Sequence, residues 1–224
     1  MSILLEERWL DSPYVETVIQ GHTASAGFSI RPAEPRWHMV ITKYQSTARF
    51  LIVGPWETSG RIAYPEGAEI LWIRFKLGTF IPHLPLKTFL NTETTLPEAP
   101  GKRFWLKGSA WQLPNLENAD TFVDRLVRTD VLANDPVVSA ALQNQLPEIS
   151  PRTLRHRFLQ ATGLSQNHIR QVERAKRAEV LLRQGVSISD TGYQLGYFDQ
   201  PHLTRSLKQW IGHTPAQIVG SSIE

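Results

Sequence analysis

Cysteine is absent from the 224 residues. That absence removes disulfides, thiolate zinc sites and cysteine nucleophiles together. No run approaches the roughly 18 uncharged apolar residues that a membrane-spanning helix needs. The opening MSILLEERWL carries acidic side chains where an export signal would be basic, so a cytoplasmic protein with no membrane partner is expected. His22, His38 and His83 are scattered and form no His-x-His pair, so neither a metal nor any cofactor is expected. Ser109, in Gly108-Ser-Ala, lacks the spacing of a nucleophile elbow, and no paired carboxylates stand out. An enzyme is not expected.

What is present is enough for a core: 41% of residues are apolar, 20% are charged and 7 are tryptophan. The length suits one large or two ordinary domains. Charge divides unevenly along it. Residues 151–224 carry 10 Lys/Arg against 5 Asp/Glu, a net of +5, whereas residues 1–150 carry 14 against 16, a net of −2. A basic surface confined to one half is what phosphate contact requires.

That basic half contains the stretch SISDTGYQLGYFDQPHLTRSLKQWIGHTPAQI, Ser187 to Ile218. A short segment carrying Gly192 turns at Leu195-Gly196-Tyr197, and a second helix starts at Asp199, whose side chain suits an N-cap. Leu203, Leu207, Trp210 and Ile211 recur at helical spacing and are expected inside. Gln200, Pro201, Thr204, Arg205 and Lys208 are left on the other face. Short helix, tight turn and polar-faced helix make a helix-turn-helix, whose second helix enters the major groove of DNA.

The unit occurs twice. At a constant offset of 49, Ser150 matches Asp199, Leu154 matches Leu203, Phe158 matches Leu207, Gly163 matches Gly212, and Leu146 before the helix matches Leu195. Between the copies, Gln166 to Gln184 has neither proline nor glycine. About 18 helical residues make a rod of roughly 27 Å. A turn of DNA is about 34 Å, so such a rod suits two readers in successive major grooves.

On these residues the region from about Ala119 to Ile218 resembles the DNA-binding domain of AraC/XylS-type transcription regulators. Their signature, G-Y-x-D-Q-x-H-x-x-R-x-x-K-x-x-x-G-x-T-P, is read here from Gly196 to Pro215. Three residues depart from it: Leu207 replaces the usual Phe, Ile218 stands near a usual aromatic, and Gly192 replaces the usual Ala. All concern packing and imply a slightly less stable second unit. With the strand-like runs of the first half, described below, an α+β protein is expected, with a small antiparallel β barrel or sandwich at 1–113. A DNA-binding domain would follow at 114–224, with its helix-turn-helix units at about 136–163 and 187–212. Asn118 is expected to cap the first helix of that domain, running to about Leu132, and Pro136 to open a helix reaching about Leu146.

The resemblance and the side-chain chemistry assign roles. Arg152 and Arg155 are expected at base edges, since a guanidinium can bond guanine O6 and N7 together; His156 stands where the family often has Arg. Gln200, Pro201, His202, Thr204 and Arg205 are the matching set in the second unit, where Pro201 replaces a usual polar reader. Arg157, Arg174, Lys176 and Lys208 are assigned to phosphate, which positions without specifying. Double-stranded DNA and RNA polymerase are the partners implied.

The first half reads differently. Trp37–Tyr44, Ala48–Val53, Arg61–Tyr64 and Glu69–Lys76 look like strands; in the last, Leu71, Ile73 and Phe75 alternate with Trp72, Arg74 and Lys76. Gly54-Pro55 and Pro65-Glu-Gly67 punctuate them. Ile70 to Pro114 resembles the N-terminal half of a subgroup of these regulators whose sensing role is uncharacterised. Trp37, His38, Trp56, Trp72, Arg74, Trp105 and Trp111 are the candidates for lining a small-molecule pocket. The alternative is that the tryptophans fill the core and this half serves only for homodimerisation or partner contact. DNA-alkylation repair enzymes share the DNA-binding architecture, but their methyl acceptor is a Cys thiolate, which this chain lacks.

Overall fold

The computed structural model describes residues 3–143, 145 and 148–220. The strands come first: β1 (Ile3–Trp9), β2 (Val15–Thr23), β3 (Gly27–Arg31), β4 (His38–Tyr44), β5 (Thr47–Val53), β6 (Gly60–Tyr64) and β7 (Glu69–Phe75). Shorter ones follow: β8 (Thr79–Phe80), β9 (Glu93–Thr95), β10 (Glu98–Ala99), β11 (Arg103–Leu106) and β12 (Ser109–Gln112). Then come α1 (Ala119–Arg128), β13 (Ala133–Asn134), α2 (Pro136–Leu142), α3 (Pro151–Thr162), α4 (Gln166–Arg183), α5 (Ile188–Gln194), α6 (Gln200–Trp210) and α7 (Pro215–Gly220). Strands thus give way to helices, as an α+β chain requires.

By packing, the described residues form two compact units. The first draws on Met1–Gly27, Arg36–Pro55 and Ala63–Ser165; the second on Phe28–Pro35, Trp56–Ile62 and Gln166–Glu224. These units are drawn differently from a division at residue 113. The physical reason lies in where the helices bury their apolar faces. α1 turns Phe122, Val123 and Leu126 into the core of the strands, and α3 follows it into the first unit.

In the first unit a six-stranded antiparallel sheet runs β1-β2-β7-β4-β5-β9. The alternation read in β7 puts Leu71, Ile73 and Phe75 inside, and register aligns Ile73 with Val18 on one side and Met39 on the other. β2 is equally buried but is not legible by alternation, because Thr17, Gly21 and Thr23 occupy buried positions. The three-stranded sheet β10-β11-β12 completes a sandwich-like core. Phe104 of β11 stacks on Phe50 of β5 at 3.7 Å between centroids, and Phe122 of α1 meets the edges of both rings.

The second unit is helical except for one two-stranded ribbon, β3 with β6. Val172, Ala175, Ala178 and Leu182 of α4 share a core with Leu203, Leu207 and Trp210 of α6. Ala175 and Ala178 present only methyl groups to that core. Among the described residues no helix is long and apolar enough to cross a membrane.

Candidate DNA interface

The two helices expected to read DNA, α3 and α6, each begin on a cap that the sequence supplies. Ser150 Oγ accepts from the Thr153 amide at 3.2 Å to start α3, and Asp199 Oδ1 accepts from the His202 amide at 2.6 Å to start α6. The oxygens satisfy donors that a helix N-terminus leaves without partners. Gly163 ends α3 at φ 75 and Gly212 follows α6 at φ 89, a left-handed geometry that glycine adopts without steric cost. The first unit's short helix α2 is also capped: Asp135 accepts from the amides of Val137 and Val138, with Pro136 at its first turn. α2 ends at Leu142; Leu146, to which that helix was expected to run, lies outside the described residues. Asn118 does not cap α1 with its side chain. It exchanges hydrogen bonds with Asn115 instead, each side-chain oxygen accepting from the other's backbone amide.

Once each helix has buried its apolar stripe, the remaining side chains define the candidate interface. On α3, Phe158 is buried and Leu154 half-buried, while Arg152, Arg155 and His156 are exposed. On α6, Leu203 and Leu207 are fully buried. Gln200, Pro201, Arg205 and Lys208 are exposed, and His202 and Thr204 half-buried. Neither Arg205 nor Lys208 has an ion-pair partner among the described residues.

Three cations assigned to phosphate are already engaged. Arg157 pairs with Asp135 at 3.0 Å, tying α3 to the cap of α2. Lys176 pairs with Glu34 at 3.2 Å. Arg174 lies 4.3 Å over the Tyr197 ring and donates to Gln171 at 2.6 Å. Tyr197 is itself buried, its hydroxyl 3.1 Å from Ser206 Oγ. This polar contact is not legible in the sequence, where no local pattern links Ser206 to Tyr197.

The docking of the ribbon is the other feature that sequence reading missed, although its strand β6 was expected over Arg61–Tyr64. The Ala33 amide donates to the Trp210 carbonyl at 2.6 Å, the Ser59 amide to Gln209 at 2.9 Å, and Ser59 Oγ to Lys208 at 3.2 Å. The last carbonyls of a helix have no partners of their own. Those of α6 are satisfied by residues from the strand-rich half of the chain, and Ala33, fully buried, enters the helical core.

None of the described clefts is lined by more than one of the seven pocket candidates. Trp37 is buried, stacked on Phe75 at 4.1 Å, and its indole N–H donates to the Thr79 carbonyl at 2.7 Å. Trp111 is buried against Phe122 and donates to the Leu106 carbonyl at 3.0 Å. Both are core residues with their polar atoms spent. His38 is buried, Trp72 and Arg74 are half-buried, and Trp105 is exposed. Trp56 belongs to the second unit, with the Arg31 guanidinium 3.9 Å over its ring. The only one of the seven to touch a described cleft is Trp111, beside one of about 130 Å³.

Comparison with known proteins bears on the helical part. A family model described as a helix-turn-helix domain matches residues 148–220. HTH-type transcriptional regulator VirS of Mycobacterium tuberculosis, in two strains, is 40% identical over 78 residues. Residues 148–220 are thus similar to known helix-turn-helix domains. The VirS match covers 34% of this chain and 22% of the relative, so the chain spans about a fifth of the length of the curated relatives it matches. A crystal structure of apo ToxT from Vibrio cholerae aligns with 98% of this chain and 97% of its own, at 10% identity and a TM-score of 0.33, agreement too low to argue from. Within residues 148–220 the departures from the AraC/XylS-type signature are modest in space. Leu207 fills the place of the usual Phe while fully buried, and a methyl added at Gly192 would meet only Leu203 Cδ2, at 3.9 Å.

Proposed function

We propose that the chain is a sequence-specific transcription regulator that binds double-stranded DNA through α3 and α6, each entering a major groove, the two grooves being successive. The observation that carries this reading is the pair of capped helices whose matched outward faces keep Arg152, Arg155 and Arg205 exposed. Arg152, Arg155 and His156 read bases from α3; Gln200, Pro201, His202, Thr204 and Arg205 do so from α6. Lys208 contacts phosphate. Arg157, Arg174 and Lys176 are assigned to phosphate as well, at the expense of contacts that hold the helices. In this reading the protein acts in the cytoplasm on promoters, has RNA polymerase as its further partner, and performs no catalysis. The division of roles falls between 1–113 and 114–224, even though packing is drawn otherwise.

Binding-site selection with the full chain tests it. The expected result is an enriched site with two blocks of preference about one helical turn apart. In Arg155→Ala, preference relaxes at one or two adjacent base pairs of one block; selection of no sequence over random competitor overturns the reading.

For the strand-rich half, control by a bound small molecule is one reading, and homodimerisation or partner contact without an effector is the other. The second is favoured by β1, which stands at the edge of the six-stranded sheet with Leu4, Leu5 and Trp9 exposed. A thermal-shift screen of the full chain separates the two, because a ligand that binds only the folded state raises the melting temperature.

A further inference from the structure

The most exposed large apolar side chain among the described residues is Phe198, at 92%, immediately before the Asp199 cap of α6. A lone exposed phenylalanine needs no explanation, but this one is held in place. Its neighbour Tyr197 is buried between Ser206 and the Arg174 guanidinium. Its own amide donates to His202 Nδ1 at 3.4 Å, and Asp199 fixes the turn that follows. The backbone therefore presents the ring to solvent from an ordered position.

We propose that Phe198 and Pro201 contact thymine 5-methyl groups, and that with the Gln200 amide they make α6 a reader of A·T base pairs. This rests on the DNA-binding reading above. All three side chains are exposed at the start of α6, and the leading residues of a reading helix are those that meet base edges. Two of them are apolar and can form no hydrogen bond with any base edge; in the major groove the complementary group is the thymine methyl. The third is an amide, which matches adenine N6 and N7. The cations of this helix, Arg205 and Lys208, come a turn or more later.

The first reader is built otherwise. At the offset of 49, Arg152 stands where α6 has Pro201, and half-buried Ile149 where it has Phe198. A guanidinium leading α3 favours guanine. The two halves of the operator thus differ in composition, which fixes the direction in which the protein lies along it.

The test uses the full chain and the duplex that binding-site selection yields, with Arg205→Ala used to identify the half that α6 contacts. Each thymine of that half is replaced in turn by uracil, which removes only the methyl group, and Kd is measured by fluorescence anisotropy. One or two replacements should weaken the wild-type protein about fourfold, the equivalent of one buried methylene-sized group at ~0.8 kcal/mol. Phe198→Ala should become indifferent to uracil at the thymine its ring contacts, with an unchanged melting temperature and with the sensitivity supplied by Pro201 retained, while Phe198→Leu keeps part of the difference. If the wild type binds its selected site but is indifferent to every such replacement, the inference falls and the DNA reading stands. It falls too if Phe198→Ala leaves DNA affinity intact and alters only transcription, which would make the ring a protein contact. If the full chain selects no site, the DNA reading itself has failed.

Discussion

Ala33 donates its amide proton to the carbonyl of Trp210 at 2.6 Å, a bond between two residues 177 positions apart (210 − 33) that joins the end of a β-ribbon to the end of α6. Ser59 makes two further bonds to the same helical turn.

Hydrogen exchange should show this joint directly. Amides that open together exchange with a common free energy. The Ala33 and Ser59 amides are expected to share the protection of α6 and not that of the six-stranded sheet. Exchange of both at the rate of an unprotected loop would dissolve the joint.

Three glycines of the helical unit should respond differently to alanine. At Gly212 the backbone has φ 89 and a new Cβ would come within 2.4 Å of Ile30 Cγ2, so strain and overlap add to a loss of about 2 kcal/mol or more. Gly196 has φ 69 but open space, and its loss should be nearer 1 kcal/mol. Gly192→Ala, in a helix with room for the methyl, should stabilise by about 0.4–1 kcal/mol. Chemical denaturation of the three variants measures the order, which an equal response would contradict.

Lys208 provides the clearest measure of phosphate contact because it is exposed and unpaired by any described carboxylate. Lys208→Ala should weaken all DNA sequences alike and lower the slope of log K against log salt by about one. Arg174→Ala should also lower affinity, but with a fall in melting temperature, since its guanidinium covers Tyr197. Weakening confined to one sequence would make Lys208 a base reader.

Asp120 offers a pH test in the first unit. Its carboxyl lies below the ordinary value of 3.8, chiefly through the Thr121 amide it accepts, against some desolvation, with the nearby Arg8 adding to the lowering. A carboxylate with a depressed folded pKa contributes stability that is present above the unfolded value and lost as pH falls through the folded one. Asp120→Asn should therefore be slightly less stable than wild type at neutral pH, and the gap should close below about pH 3.8. A gap that does not narrow at all as pH falls below 3.8 would assign the loss to packing.

The sequence was most informative where one periodicity and one turn residue sufficed. Leu203, Leu207, Trp210 and Ile211 are spaced for a helix and lie inside; Asp199, and Ser150 matched to it, precede helices and cap them. The β7 strand was readable for the same reason. β2 was not, because threonine and glycine at buried positions hide its inward face. Nor was the role of the tryptophans: composition could not distinguish a pocket wall from Trp37 and Trp111 donating inside the core. Contacts between residues far apart in sequence, such as Ala33 with Trp210 or Lys176 with Glu34, leave no local pattern at all.

The ribbon also limits how this molecule can be cut. A fragment starting at residue 114 would keep every side chain proposed to touch DNA, yet lose the Ala33 and Ser59 donors and expose the core face that Ala33 covers. Grafting α6 onto another scaffold, or swapping the strand-rich half for a foreign one, would have to carry residues 28–35 and 56–62 along.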